Sequence, residues 1–167
     1  MKYLKLLCAS IIVMAGCSAS ANEADLEVYL VRHAEKTTDQ TDPALTERGE
    51  QRADALADVL SVSGITRIHS SDYKRTRATA APLAERLGIE VELYDPRDLA
   101  AIAETLKSEG GKHLVVGHSN TTPQLTELLG GDGGEPIVEA TEYDRLYIVS
   151  RQNGETTSTL LRFGPPE

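Results

Sequence analysis

The chain has 167 residues, with 26 acidic against 17 basic side chains and a net charge of −9. So acidic a surface excludes nucleic acid and anionic lipid as partners, because phosphate polyanions need a broad basic footprint, and any phosphate site must be a local basic pocket. The length is that of one domain able to bury its own core.

Residues 1–21 read as an address and not as fold. Lys2 and Lys5 form a basic start, Leu6 to Ala15 an apolar run and Ala19-Ser20-Ala21 a small-residue cleavage site. The apolar run is shorter than the roughly 20 residues a membrane-spanning helix needs. Met14-Ala15-Gly16-Cys17 offers a second route, resembling a bacterial lipobox in which Cys17 is lipidated and becomes the new amino terminus. Both routes lead to an exported, periplasmic protein: one soluble from Asn22, the other anchored through the Cys17 lipid to the outer membrane. Without Lys2 and Lys5 the charge falls to −11. The two cysteines, Cys8 and Cys17, both lie in this leader. Residues 22–167, expected as a single domain, therefore offer no disulfide, no cysteine nucleophile and no thiolate metal site.

The elements alternate along the chain. Glu27 to Val31 is a β-like run ended by Arg32-His33, followed by a polar loop from Lys36 to Pro43. Thr46 is an N-cap candidate, and Ala53, Leu56, Ala57 and Leu60 at helical spacing predict a helix near 46–61, stopped by Gly64. Ile65 to His69 reads as a strand. Tyr73 to Leu87 reads as a helix with Gly88 as C-cap signal, and Pro82 inside it predicts a kink or a late start. A third strand over Ile89 to Leu93 leads to a helix near 96–108 with Pro96 in its first turn. Gly110-Gly111 turns the chain into a strand at 113–116, and Thr121 to Leu129 forms a helix closed by Gly130-Gly131. Glu142 to Ser150 and Thr156 to Phe163 alternate as strands about Asn153-Gly154, a strong hairpin signal.

Two of these strand ends carry chemistry, since ligands of open α/β sheets bind at carboxyl ends. Arg32-His33 ends the first strand, and Gly117-His118-Ser119-Asn120 ends the strand at 113–116 and opens a helix whose free amides favour an anion. Between them lies Ser71-Asp72-Tyr73-Lys74-Arg75, with Arg77 two residues further on and so turned away from Arg75. A serine-elbow reading of Gly117-His118-Ser119 fails, because Thr121 stands where its last glycine is required.

Together these motifs resemble the histidine phosphatase superfamily, the phosphoglycerate-mutase-like fold, over nearly all of residues 22–167. Ala34 stands where the family's Arg-His-Gly motif has glycine, and Arg-His-Ala-Glu-Lys is a variant within the family. The resemblance implies a three-layer α/β/α sandwich with a mostly parallel central sheet and an antiparallel C-terminal hairpin. It implies His33 as the nucleophile, Arg32 and Arg75 as phosphate clamps, and His118 as the second histidine on the phosphate. It implies no cofactor and no metal.

The substrate is expected to be a small phosphorylated molecule or a phosphorylated envelope component. Phosphomonoester hydrolysis is preferred over mutase chemistry, which uses insertions this chain is too short to hold. A phosphohistidine-protein phosphatase and a non-catalytic phosphate-binding envelope lipoprotein are the alternatives. Ser119 and Asn120 are expected to contact substrate, as is His69, for which pairing with a neighbour is an equal reading. His113, at the far end of its strand, is expected at the surface. The general acid is sought after the second arginine, at Asp95 or Asp98, with Glu35 and Glu142 further off, and Asp98 is chosen.

Overall fold

A computed structural model describes residues 24–39 and 41–164; the leader, with Cys17 and both processing sites, lies outside the described residues. Ten elements alternate in chain order: β1 (Leu26–Arg32), α1 (Glu47–Leu60), β2 (Arg67–Ser71), α2 (Lys74–Leu87), β3 (Val91–Tyr94), α3 (Leu99–Glu109), β4 (Gly111–Gly117), α4 (Thr121–Leu128), β5 (Arg145–Gln152) and β6 (Glu155–Arg162). They build one sheet in the order β3-β2-β4-β1-β5-β6. The first four strands of that row run parallel, and β5 and β6 return antiparallel.

Sequence alternation dictates the layers. In β1, Tyr29 and Val31 face one side and join Leu56, Ala57 and Leu60 of α1 with Ala80, Leu83 and Ala84 of α2. Leu26, Val28 and Leu30 face the other side and join Ile102, Ala103 and Leu106 of α3 with Leu125 of α4. A strand covered on both faces reads as a nearly unbroken apolar run, as this one does. Each leucine sealed this way contributes about 1.5–3 kcal/mol. The chain winds outward from β1 to β3 with α1 and α2 on one face, then steps back to β4 with α3 on the other. That reversal follows from right-handed crossovers, and it places a switch point between β4 and β1, where doubly wound sheets open a ligand crevice.

Local chemistry sets the ends. The Thr46 hydroxyl accepts from the Gly49 amide and starts α1, and Gly88 at φ +66° closes α2. Asn153 and Gly154, both at positive φ, form the tight turn that sets Gln152 opposite Glu155. Helix α2 begins at Lys74 and runs past Pro82, so no late start occurs. Strands β2 and β3 each begin two residues later than periodicity suggests, because pairing with β4 and β2 decides which residues are strand. Helix α3 begins at Leu99 instead of near Pro96, because the Asp98 carboxylate accepts from the Ala101 amide and fixes the cap there.

Candidate active site

Strands β1 and β4 are neighbours in register, with Arg32 opposite Gly117, so the residues that follow them emerge side by side. The His33 amide donates to the Gly117 carbonyl at 2.9 Å, which ties the two ends together. Gly117 is required there: a Cβ would lie 2.9 Å from the Thr121 hydroxyl and 3.0 Å from that of Tyr94. The rings of His33 and His118 meet edge to face with centroids 5.5 Å apart.

Both imidazoles have a defined tautomer. His33 Nδ1 lies 2.8 Å from the Ala34 carbonyl oxygen, which only accepts, so Nδ1 carries the proton and Nε2 the lone pair. Arg75 approaches His118 Nδ1 at 3.4 Å, and an arginine only donates, so the His118 proton sits on Nε2 and is given to the Ser71 hydroxyl at 2.9 Å. Ser71 in turn donates to Thr76, and Thr76 to the Ser71 carbonyl. Burial above all, with the charges of Arg32, Arg75 and His118 adding and the Ala34 carbonyl opposing, lowers the His33 pKa to about 3. Burial first, then Arg75 and Arg32, lowers that of His118 to about 4. Both are neutral at pH 7, as a nitrogen nucleophile must be.

They open into a cavity of about 330 Å³ lined also by Lys36, Tyr73, Arg75, Pro96, Arg97, Ser119, Asn120, Thr121 and Glu139. Three cations face a single carboxylate there, a local basic pocket in an acidic protein. Arg75 stacks on the Tyr73 ring at 4.5 Å and lies 3.8 Å from Asp42. Arg77, two residues on, is exposed and paired with Asp72. Ser119 and Asn120 line the cavity at the amino end of α4, where unbonded amides and the helix dipole favour an anion.

Other expected site residues lie elsewhere. Arg32 is not on the cavity wall: 1% exposed, it sits under the Tyr143 ring and gives Nη1 to the Glu142 carbonyl and Nη2 to that of Glu139. Its Nε, like that of Arg75, has no acceptor among the described residues. Asp98 is the cap of α3 and does not reach the cavity. Asp95 is bound to Arg97. Glu35 is gripped by Arg52 and Arg48; burial pushes its carboxyl up, but those bonds outweigh it and hold the pKa low. Glu142 is tied to Arg145, Arg162 and the Val138 amide, which lower its pKa to about 2.

His69 also stays out of the cavity. Its Nε2 meets Nδ1 of His113 at 3.0 Å with the rings stacked, so the reading as a residue paired to a neighbour is the one the structure shows. His113, expected at the surface, is fully buried. It is the third residue of β4 and shares with Val115 the face that α3 and α4 cover. Lys36, Ser71, Tyr73, Arg97 and Glu139 were missed as site residues. Lys36 had a sequence signal inside Arg-His-Ala-Glu-Lys, as did Ser71 and Tyr73 inside the segment leading to Arg75, whereas Arg97 and Glu139 had none.

Residues 28–97 match the histidine phosphatase superfamily (branch 1). The probable phosphoglycerate mutase GpmB of Serratia proteamaculans is 44% identical over 79 residues, 43% of this chain. The match spans 36% of that relative's length. Among solved structures, a mycobacterial glucosyl-3-phosphoglycerate phosphatase superposes with TM-score 0.64 at 17% identity, over 85% of this chain and all of its own. The protein histidine phosphatase SixA complexed with tungstate does so with TM-score 0.61 at 19% identity, over 83% of this chain and 96% of its own. At these identities the two share its fold. The matched segment runs from β1 to the turn after β3, and over that part the chain is similar to the histidine phosphatase superfamily.

Proposed function

We propose that the chain hydrolyses phosphomonoesters through a phosphohistidine on His33, without a cofactor. One observation carries this reading: an imidazole whose Nδ1 proton is held by the Ala34 carbonyl lines one cavity with Arg75 and His118. The Nε2 lone pair attacks phosphorus in line with the leaving oxygen. Arg75 offers a planar fork to the equatorial oxygens, and the α4 amides add further donors. His118 takes up a proton on Nδ1 once the phosphate dianion replaces Arg75 as its neighbour, and then donates to a phosphate oxygen. Water next attacks the phosphohistidine, releases phosphate and restores His33. Arg75 Nε, buried without an acceptor among the described residues, fits a site built for an oxyanion, since an unmet buried donor costs about 1–3 kcal/mol.

Hydrolysis is preferred over mutase chemistry because, among the described residues, the β1–α1 and α4–β5 connections beside the cavity carry no inserted helix or strand to hold and turn a bisphosphate. The substrate is a small phosphomonoester, a class that includes the phosphoglycerate derivatives and phosphohistidine named for similar proteins. The decisive experiment traps acid-labile phosphate on the protein during a screen of phosphomonoesters. A phosphohistidine that maps to His33 and turns over is the expected result, whereas tight phosphate binding with no turnover by any ester would leave a non-catalytic binder.

The address is proposed as well: residues 22–167 act outside the cytoplasm, soluble or held by the Cys17 lipid. Mass spectrometry of the mature amino terminus checks this, because a full-length chain beginning at Met1 in cells would remove the proposal.

A further inference from the structure

The hydrolase reading needs a proton for the leaving oxygen, and the geometry points to Glu139 as the acid that supplies it, a proposal that rests on that reading. Phosphoryl transfer runs in line, so the leaving oxygen departs on the side of phosphorus opposite the nucleophile. His33, 3% exposed, is the floor of the cavity, and the leaving oxygen therefore points to its mouth. Glu139 is exposed at that mouth and is the only carboxylate among the described residues on the cavity wall.

Its position is held from both sides. Arg32 binds the backbone carbonyls of Glu139 and Glu142 at 2.8 and 2.9 Å, and the Glu142 carboxylate accepts the Val138 amide at 3.0 Å. Arg145 adds bonds to the Glu135 and Pro136 carbonyls. The turn is thus fixed through its backbone while the Glu139 carboxylate stays out of every ion pair described. The neighbouring acids are each engaged: Glu35 by Arg52, Glu142 by Arg145, Asp72 by Arg77, Asp95 by Arg97, and Asp98 by the Ala101 amide.

The groups facing Glu139 are Arg32 from β1, His33 and Lys36 from the loop after it, Arg75 from α2, Arg97 after β3 and His118 after β4. An arriving phosphate dianion takes up these cations and leaves the carboxyl free to face the leaving oxygen. In the first step the Nε2–P bond forms, the P–O bond to the leaving group breaks, and the Glu139 proton passes to the leaving oxygen. In the second, water bonds to phosphorus and gives its proton to the Glu139 carboxylate as the P–N bond breaks, so acid and imidazole are both regenerated.

The test compares leaving groups in the phosphorylation step, using the protein purified from cells. Nitrophenolate leaves without a proton and an alkoxide does not, so 4-nitrophenyl phosphate and glycerol phosphate are the probes. Glu139→Gln should slow phosphorylation of His33 by glycerol phosphate about 100-fold and by 4-nitrophenyl phosphate less than about fivefold. Phosphohistidine should then accumulate, because the variant also lacks the base for water. Equal losses with both esters, or none with either, would overturn the assignment to Glu139 and leave the hydrolase reading intact. A leaving-group-dependent loss in Asp98→Asn, which keeps a good helix cap, would move the role to Asp98. No phosphohistidine from either ester in the unsubstituted protein would overturn both proposals.

Discussion

Two histidine pairs lie in the same sheet and show what a pair becomes when its surroundings change. His33 and His118, 5.5 Å between ring centroids, stand at the carboxyl ends of β1 and β4 before an open cavity rimmed with cations. His69 and His113, 5.3 Å apart, lie nearer the other end of β4, stacked and sealed under α3. In the sealed pair His113 Nε2 donates to the Gly110 carbonyl at 2.7 Å, so Nδ1 accepts from His69 Nε2. The bonds that join this pair to each other and to the chain are internal, and the pair does not line the cavity. In the open pair His33 keeps a lone pair that no described residue uses. Burial lowers the pKa in both places, to about 3 at His33 and about 4 at His69. A depressed histidine pKa therefore does not mark a site by itself; a lone pair facing cations and space does.

The largest expected effect comes from breaking the open pair. His33→Ala should lower phosphatase turnover at least about 1000-fold while the unfolding midpoint moves by only a few degrees. A folded variant keeping more than about a tenth of the rate, a loss of only about 1.4 kcal/mol, would remove the nucleophile from the mechanism.

Breaking the sealed pair should do the reverse. His113→Ala leaves the His69 N–H and the Gly110 carbonyl without partners and opens a cavity, which should cost about 2–4 kcal/mol of stability in urea unfolding. Activity per folded molecule should stay within about twofold. A selective loss of turnover without destabilisation would show that the two pairs are coupled.

The arginines sharpen the comparison at intermediate scale. Arg75→Lys should weaken vanadate binding and kcat/KM by about 10- to 100-fold, since an ammonium cannot copy the planar fork, and Arg77→Lys should change neither beyond about twofold. Equal effects would mean that the wrong face of α2 has been put in the cavity.

The smallest effect is read from pH. A histidine with a lowered folded pKa refuses protons that the unfolded chain, near pKa 6.5, accepts. Stability is therefore full above pH 6.5 and falls with pH, by at most about 1.4 kcal/mol per unit for each such group, until the folded pKa is reached. Saturating vanadate favours the charged form of the open pair and should flatten its share of the slope. The share of His69 should persist, and a slope wholly abolished by vanadate would contradict the sealed pair's part in it.

Much of this was legible in the sequence because the deciding signals are local. Periodicity in 46–60, the Gly88 cap and Asn153-Gly154 each speak through a few neighbours, and the strand-end placement of His33 and His118 follows from the same reading. What escaped depends on distant chain. His113 looked like a strand start, and only the packing of α3 buries it. Asp98 looked like a candidate acid, but its short bond to the Ala101 amide gives it another task. The fork of Arg32 is taken by carbonyls 107 and 110 positions away, and no pattern around Arg32 announces them. Glu139 stands in a loop rich in glycine and acid, where nothing distinguishes one carboxylate from the next until the cavity is closed around it.

The in-register pairing of β1 with β4 joins residues 85 positions apart, from Leu26 with Gly111 to Arg32 with Gly117. Contacts that distant form late, after the chain entropy of closing the loop has been overcome. A chain still emerging from the ribosome before β4 appears carries His33 and Arg75 but no His118 beside them, and it is chemically silent. On the proposed mechanism turnover requires the central strand pair, so phosphatase activity, followed during refolding, would serve as a clock for that single long-range event.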